Sequence, residues 1–396
     1  MAPLLLESFD KCSEVYFMSN RKIMVSVTEV SGDLHAANLV QTIKKIDPGI
    51  EFVGIGGEKM EQAGVEIRAK TVHMGTVGIV EGAKYYFSFL KIESKIKRIL
   101  KEEHPDLVIL VDSRDFNLRL ARLARKLSIP TVYYIAPPLW AWNDWQTKRA
   151  ARNITKIIAI FSLEAEVYRK AGANVSLVGY PLVDLVKPSM SKEETLQKFG
   201  LDAARPIIGL FPGSRGHEIT RLLPLILKAA SKLDKNLKDI QFLLAEASPV
   251  FHNEIARIVT RSKISIKTVS GNPYNLMNIS DLLIITSGTA TLEASLLGTP
   301  MIIVYKTSLS TWLIGQILIK LPYIGLPNII AAKRIVPELV GFRLTVSHLA
   351  NTALELLQDE EKLEQMRVEL RKVAQKLGKP GAVDRAARVV VEMVNS

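Results

Sequence analysis

The residues with the capacity for chemistry stand at the ends of apolar runs. Ser287-Gly288-Thr289-Ala290-Thr291-Leu292-Glu293 follows Asp281-Leu282-Leu283-Ile284-Ile285-Thr286. That order predicts a buried strand, a small-residue turn and a helix beginning near Thr289. Backbone N–H groups and the positive end of a helix dipole then converge on one spot, which suits phosphate. A second turn of this kind, Phe211-Pro212-Gly213-Ser214-Arg215-Gly216-His217-Glu218, follows the run Ile207–Leu210. Gly213 and Gly216 let a ligand approach the backbone closely. Between them lie Ser214 and Arg215, whose planar charged fork matches phosphate oxygens. An ordinary strand-to-helix turn with a surface arginine is the competing account, and the pairing of two such turns favours an anion site. Glu293 has Ala290 three residues before it, so a capping box does not explain it. A carboxylate there can accept two hydrogen bonds from a ribose diol; a solvated helix glutamate is the plain alternative.

The first half of the chain offers carboxylates. Leu107-Val108-Ile109-Leu110-Val111 ends in Asp112-Ser113-Arg114-Asp115-Phe116-Asn117. Asp112 and Asp115, at a strand's carboxyl end, are candidate general bases. Asp115 suits the N-cap of the next helix equally well, and Arg114 beside it would keep it ionised. After the first strand come Ser31, Gly32 and Asp33, placed as acceptor or cleft residues, although helix capping by Ser31 and a dipole contact by Asp33 also account for them. Ala136-Pro137-Pro138-Leu139-Trp140-Ala141-Trp142 sets Trp140 and Trp142 around a Pro-Pro turn, a wall for sugar rings or acyl chains unless it is core packing. Tyr85, Tyr86, Phe87, Phe89 and Lys91, followed by Lys95, Lys97 and Arg98, are aromatic on one side and basic on the other. They read as a membrane-surface segment or as a buried stripe. The six histidines are scattered, with no metal-ligand spacing, Walker motif or Ser–His–Asp elbow. The expectation is chemistry with no metal and no cofactor.

The elements that must hold these residues alternate. Runs Met24–Thr28, Phe52–Ile55, Leu107–Val111, Thr131–Ile135 and Lys156–Ala159 read as strands, with helical patterns such as Leu34–Lys45 and Leu118–Lys126 between them. The scheme repeats with strands Pro206–Phe211, Ile240–Leu244, Ile264–Val269, Asp281–Thr286 and Pro300–Tyr305, and Gly298 is a fitting helix stop. Alternation of this kind predicts an α/β protein of two Rossmann-like, doubly wound parallel sheets. Ligands in such sheets bind beyond the carboxyl ends of the strands. The boundaries read as a loose extension over 1–20, a first domain over 21–186, a linker region over 187–205, a second domain over 206–345, and C-terminal helices over 346–396 with the option of returning to the first domain. A chain of 396 residues suits two domains, and one cysteine excludes a disulfide framework. The net charge of +12 favours an anionic partner. Met1–Leu6 is too short for a secretory h-region. Trp312–Ala332 is broken by Lys320, Pro322 and Pro327, which makes it a poor membrane span.

In order along residues 24–392, these strings resemble lipid-A-disaccharide synthase, a family of GT-B glycosyltransferases. The resemblance rests on Ser31-Gly32-Asp33, Phe52-Val53-Gly54-Ile55-Gly56-Gly57, Val77-Gly78-Ile79-Val80-Glu81, Asp115-Phe116-Asn117 and Trp140-Ala141-Trp142. It rests also on Pro212-Gly213-Ser214-Arg215, Ser287-Gly288-Thr289-Ala290 and Leu326-Pro327-Asn328. It implies two domains facing a cleft, a UDP-diacylglucosamine donor, a diacylglucosamine 1-phosphate acceptor, and a β-1,6 disaccharide with UDP as products. On this reading Gly213, Ser214, Arg215, Ser287, Gly288, Thr289 and Ala290 hold the diphosphate and Glu293 the ribose. Asp115 is the base, with Asp112 as its rival. An anionic membrane on the cytoplasmic face of the inner membrane is the expected surface, and nucleic acid is not a partner. Departures fall in the first domain: Thr28 and Val30 flank Glu29 where the family has Gly and Ala, Arg114 replaces a proline, and Ala136 and Pro138 replace serines. A related transferase with another lipid acceptor, a UDP-N-acetylglucosamine 2-epimerase and a non-catalytic membrane-surface protein are the alternatives. Oligomeric state and acyl-chain length stay open.

Overall fold

The computed structural model describes residues 21–72, 92, 94–136, 144–237, 239–262, 264–306 and 323–396. The extension 1–20, the segment with Tyr85, Tyr86, Phe87, Phe89 and Lys91, and the pair Trp140 and Trp142 lie outside them.

Two parallel sheets organise the chain. The first has seven strands in the order β3-β2-β1-β4-β5-β6-β7 and the second six in the order β10-β9-β8-β11-β12-β13. In the first, β1 is Lys22–Ser26, β2 Glu51–Gly56, β3 Glu66–Lys70, β4 Leu107–Val111, β5 Thr131–Tyr134, β6 Lys156–Ala159 and β7 Val175–Leu177. In the second, β8 is Ile207–Phe211, β9 Gln241–Glu246, β10 Ile266–Ser270, β11 Leu282–Thr286, β12 Met301–Tyr305 and β13 Glu338–Val340. The central strands β4, β8 and β11 are buried at every residue. That is why they read as unbroken apolar runs: helices cover both faces of a parallel sheet. Strand order reverses between β1 and β4 and again between β8 and β11, which opens one crevice at the carboxyl edge of each sheet.

Separate cores lie on the faces of the sheets. Ile23, Val25 and Val27 share one with Leu107, Ile109 and Val111, and the last helix, Ala382–Asn395, adds Ala386, Ala387, Val390 and Val394 to it. The C-terminal helix is thus built into the first domain, against helix Val30–Ile46. The chain passes between the domains twice, side by side. Tyr180 N–H donates to the Leu377 carbonyl at 2.9 Å, Gly381 N–H to Asp184 at 2.6 Å, and the Arg385 guanidinium to the Val178 carbonyl at 2.9 and 2.7 Å. Around these crossings Ile160, Tyr180 and Leu182 pack with Leu292, Val373 and Leu377 in a core shared by both halves.

The polar stretch 187–205 is more than a connection. It contains helix Lys192–Phe199, started by a reciprocal capping box between Ser191 and Glu194. Leu196 and Phe199 pack on the second core. The many charges there are the solvent face of that helix.

Candidate active site

The four loops at the two order reversals supply the site. On the first-domain side, β1 runs out into Thr28-Glu29 and β4 into Asp112-Ser113. Asp112 and Ser113 both take left-handed backbone angles, φ 51° and 53°, which L-residues adopt only when held. The holding groups are visible. Buried Asn117 donates to the carbonyls of Val111 at 2.9 Å and Asp112 at 2.8 Å, and accepts from Ser26 on β1 at 2.7 Å. Tyr133 donates to the Asp112 carbonyl at 2.6 Å, and the hydroxyls of Thr28 and Ser113 share a hydrogen bond of 2.6 Å. The turn therefore presents Asp112 at the end of β4, where its carboxylate accepts the Ser113 N–H at 2.9 Å. Burial and then the neighbouring Glu29 carboxylate push Asp112 up to about 7, against that hydrogen bond and the charge of Arg215.

Asp115 lies in the first turn of helix Arg114–Lys126, and its side chain is outside the description, as is that of Arg114. The N-cap position belongs to Ser113, so capping does not account for Asp115. Ser31 is likewise no cap: helix Val30–Ile46 begins before it, with Glu29 at the N-cap position making no side-chain capping bond. Asp33, expected at the cleft, is buried instead. It accepts the N–H groups of Gly57 at 2.8 Å, Lys59 at 3.0 Å and Met60 at 3.4 Å, and so caps the short helix Glu58–Gln62. A Cβ at Gly57 would collide with Asp33, so that glycine serves close packing. Gly32 packs against Val27 and Asp112 below the same crevice.

On the second-domain side the two turns differ. At the first, Gly213 has φ 117°, and the space beside it is filled by Glu218. The Glu218 carboxylate accepts the N–H groups of Ser214 at 3.1 Å and Arg215 at 3.3 Å. These N–H groups, expected to cradle phosphate, are held by the protein's own carboxylate in a capping box of helix Gly216–Asn236. What the turn offers outward is the Arg215 guanidinium. It reaches Glu218 at 3.4 Å and, across the crevice, Glu29 at 3.0 Å.

The second turn is open. Among the described residues, the N–H groups of Gly288, Thr289 and Ala290 have no acceptor, and a Cβ at Gly288 would meet nothing within 4 Å. They stand at the start of helix Ala290–Leu297, where the dipole favours an anion. Ser287 is committed elsewhere: its hydroxyl donates to the Ile324 carbonyl at 3.0 Å. That loop is braced by Glu338, which accepts the N–H groups of Ile324 and Gly325 at 3.0 Å each, and by the buried Asn328, which donates to Glu338 at 2.7 Å. The Glu293 carboxyl group has no hydrogen bond or ion pair among the described residues, and burial pushes it up to about 7. It faces Tyr274 and Tyr180, whose phenols are raised by burial and then by its charge. Thr286 Oγ1, at the end of β11, is buried without a partner among the described residues.

The structure thus brings Asp112, Arg215, Gly288, Thr289, Ala290 and Glu293 to the two crevices, and assigns Asp33, Ser287 and the Gly213–Ser214 turn to local support. The roles of Glu29, Glu218 and Asn117 emerge from the fold. The Glu218 signal was present, since a carboxylate three residues after Arg215 is capping-box spacing. Among the described residues, no group of three or more His, Cys, Asp or Glu is placed to hold a metal ion.

Comparison with known proteins follows the same lines. A family profile described as lipid-A-disaccharide synthetase matches residues 23–392. A lipid-A-disaccharide synthase of Geobacter metallireducens is 40% identical over 375 residues, covering 95% of this chain and 98% of that one. One of Syntrophus aciditrophicus is 39% identical over 378 residues, covering 95% and 99%. Among solved structures, the S. aureus MnaA–UDP co-structure superposes with a TM-score of 0.66 at 13% identity, covering 95% of this chain and 97% of that one. A UDP-GlcNAc 2-epimerase of Neisseria meningitidis bound to UDP-GlcNAc gives 0.66 at 13%, covering 94% and 100%. At that identity these two structures speak to the fold alone.

Proposed function

The chain belongs to the lipid-A-disaccharide synthetase family, and from that premise we propose how its site divides the work. The protein is a UDP-sugar-dependent glycosyltransferase of GT-B architecture. Its reaction moves diacylglucosamine from the UDP conjugate to diacylglucosamine 1-phosphate. The acceptor hydroxyl attacks the anomeric carbon on the face opposite UDP, the bond to the diphosphate oxygen breaks, and a β-1,6 disaccharide leaves with UDP.

The observation that carries this assignment is the open helix start at Gly288–Ala290, with the Glu293 carboxyl group, unpartnered among the described residues, one turn further on and Arg215 at the neighbouring turn. Diphosphate charge grows as the anomeric bond breaks. Free N–H groups at a helix N-terminus and a guanidinium would stabilise it without reorganising. Glu293, at one helical turn from these N–H groups, would accept the ribose hydroxyls. The acceptor's proton goes to a carboxylate at the end of β4, Asp115 in the family's pattern, with Asp112 beside it. Ser31 and Gly32 would line the acceptor side. No metal or cofactor is required by this scheme. The deciding experiment is incubation with both lipid substrates, with and without EDTA, and product mass as the readout. A disaccharide with free UDP in both arms is expected. UDP binding without disaccharide would point to another lipid acceptor, and loss of product in EDTA would overturn the metal-free scheme.

Acylated substrates support our further proposal that the enzyme works at an anionic membrane surface, on the cytoplasmic face of the inner membrane. Among the described residues no helix is long and apolar enough to cross a membrane. Residues 116–160 carry eight Lys or Arg against Asp144 alone. Helix Asp144–Asn153 exposes Trp145, which is 52% accessible and has the Arg149 guanidinium 5.8 Å from its ring centre. A Trp and Lys/Arg face of this kind suits a headgroup layer; the membrane contacts expected at Tyr85, Tyr86, Phe87, Phe89 and Lys91 lie outside the described residues. Vesicles with anionic lipid should sediment the protein, and neutral vesicles should not.

A further inference from the structure

We propose that Glu29 is a latch on Arg215: it holds the guanidinium while the site is empty, and the donor's diphosphate takes the guanidinium from it. This rests on the placement of the diphosphate between Arg215 and the Gly288–Ala290 helix start.

Arg215 is engaged by two carboxylates, and they are not equivalent. Glu218 sits in the same turn, 6% accessible, and is fixed there by the N–H groups of Ser214 and Arg215. It cannot withdraw without uncapping helix Gly216–Asn236. Glu29 belongs to the other domain and makes its 3.0 Å contact from the end of β1. Its side chain has no other hydrogen bond among the described residues. Each carboxylate takes one N–H of a fork that has five, so a phosphate entering the crevice competes with Glu29 for the charge and for the outward-facing donors, and Glu29 is the partner with no second hydrogen bond among the described residues. Both partners of the pair keep contact with water, 36% and 29% accessible, so the exchange needs no buried charge to be stranded.

The hand-over has a consequence for the reaction. The pair ties the loop after β1 to the loop after β8, across the space where donor and acceptor must meet. Donor binding replaces that tie by one through the ligand, so the empty crevice is kept pre-aligned and the filled one is released to admit the acceptor. Glu29 is in this sense a positioning residue, acting through Arg215.

The sign of its effect is unusual, and the test reads it. UDP affinity is measured by calorimetry on the full chain for the parent, Glu29→Gln, Arg215→Gln and the double variant. Arg215→Gln should weaken UDP about 10- to 100-fold, the range of a charge-assisted hydrogen-bonded contact. Glu29→Gln should tighten UDP about two- to fivefold, the range of a half-exposed ion pair. In the Arg215→Gln background Glu29→Gln should do nothing further. Glu29→Asp, which keeps the charge and shortens the reach, should shift Kd in the same direction as Glu29→Gln by less. A Glu29→Gln protein that binds UDP more weakly or unchanged, or one that changes Kd equally with and without Arg215, overturns the latch while leaving the diphosphate site intact. Arg215→Gln binding UDP like the parent would remove the site placement, and the latch with it.

Discussion

Glu293 and Asp112 are carboxyl groups whose surroundings favour the neutral form, each pushed up to about 7, by burial first in both. The unfolded chain releases these protons near pH 4, and the folded one holds them to near 7. Between those limits the folded state binds more protons, so each group lowers stability as pH rises through that window. Glu293→Gln should therefore melt higher than the parent at pH 8, by about 2–4 °C for each kcal/mol relieved, and match it below pH 4; thermal melts across that range check it. A lower melting temperature at pH 8 would mean that Glu293 has a partner when ionised. His35 carries the opposite sign. Its ring is buried, its Nδ1 lacks a partner among the described residues, and burial lowers it to about 4, so stability is lost as pH falls from about 6.5 towards 4. In turnover, the carboxylate that takes the acceptor's proton must be ionised. If Asp112 is that carboxylate, the rate should rise with pH through about 7 and Asp112→Asn should flatten that rise. Asp115→Asn should lower kcat about 10²–10⁴-fold with UDP affinity retained. Retention of the pH break in Asp112→Asn would free Asp112 of any part in proton transfer.

At the scale of elements, the unit that makes the acceptor side is β4, its left-handed turn and helix Arg114–Lys126. Asn117 is the side chain that converts this sequence into that turn, because it satisfies two carbonyls and one hydroxyl at once. Asn117→Asp loses both N–H donors and sets a charge against the two carbonyls. It should destabilise the protein by about 2–4 kcal/mol in urea titrations and lower kcat at residual fold. Asn117→Ser, which keeps one donor, should cost less. Asn117→Asp with parental stability would mean that the turn is held without it. This unit also shows what a sequence can and cannot disclose. β4 was legible because five apolar residues in a row must be buried on both faces. The edges β3, β7 and β13 were not: Glu66–Lys70 alternates charge with apolar residues, and the other two strands span three residues each. The donor-side helix start was legible from Ser287 to Glu293 because small residues after a buried strand leave few alternatives. The roles of Asp33, Glu218 and Glu29 were hidden, since each is decided by a partner distant in space or by a turn whose N–H groups it fills.

The molecule as a whole is closed by its last helix. Ala382–Asn395 leaves the second domain and packs on Val30–Ile46, so the first core is completed by residues more than three hundred positions away from its first strand. The second core draws nothing from that helix. The two domains should therefore respond differently to its loss. A chain ending at Gly381 leaves Val25, Val40 and Ile43 without their cover of Ala386, Ala387, Val390 and Val394. Burying those four side chains contributes several kcal/mol, on the order of 1–3 kcal/mol for each valine, which is a large part of the stability of a single domain. Amide exchange is the fitting readout because it reports each element separately. In the shortened chain, protection of Val30–Ile46 should collapse while that of Gly216–Asn236 persists. Val390→Asp in the full chain, which places a charge at a fully buried position, should give the same pattern less completely. If both helices lose protection together, the domains fold as one unit and the shared core around Tyr180, Leu292 and Leu377 dominates. If neither does, the last helix is an appendage, and the alignment of Glu29 with Arg215 must be set by the crossings at Tyr180 and Asp184 alone.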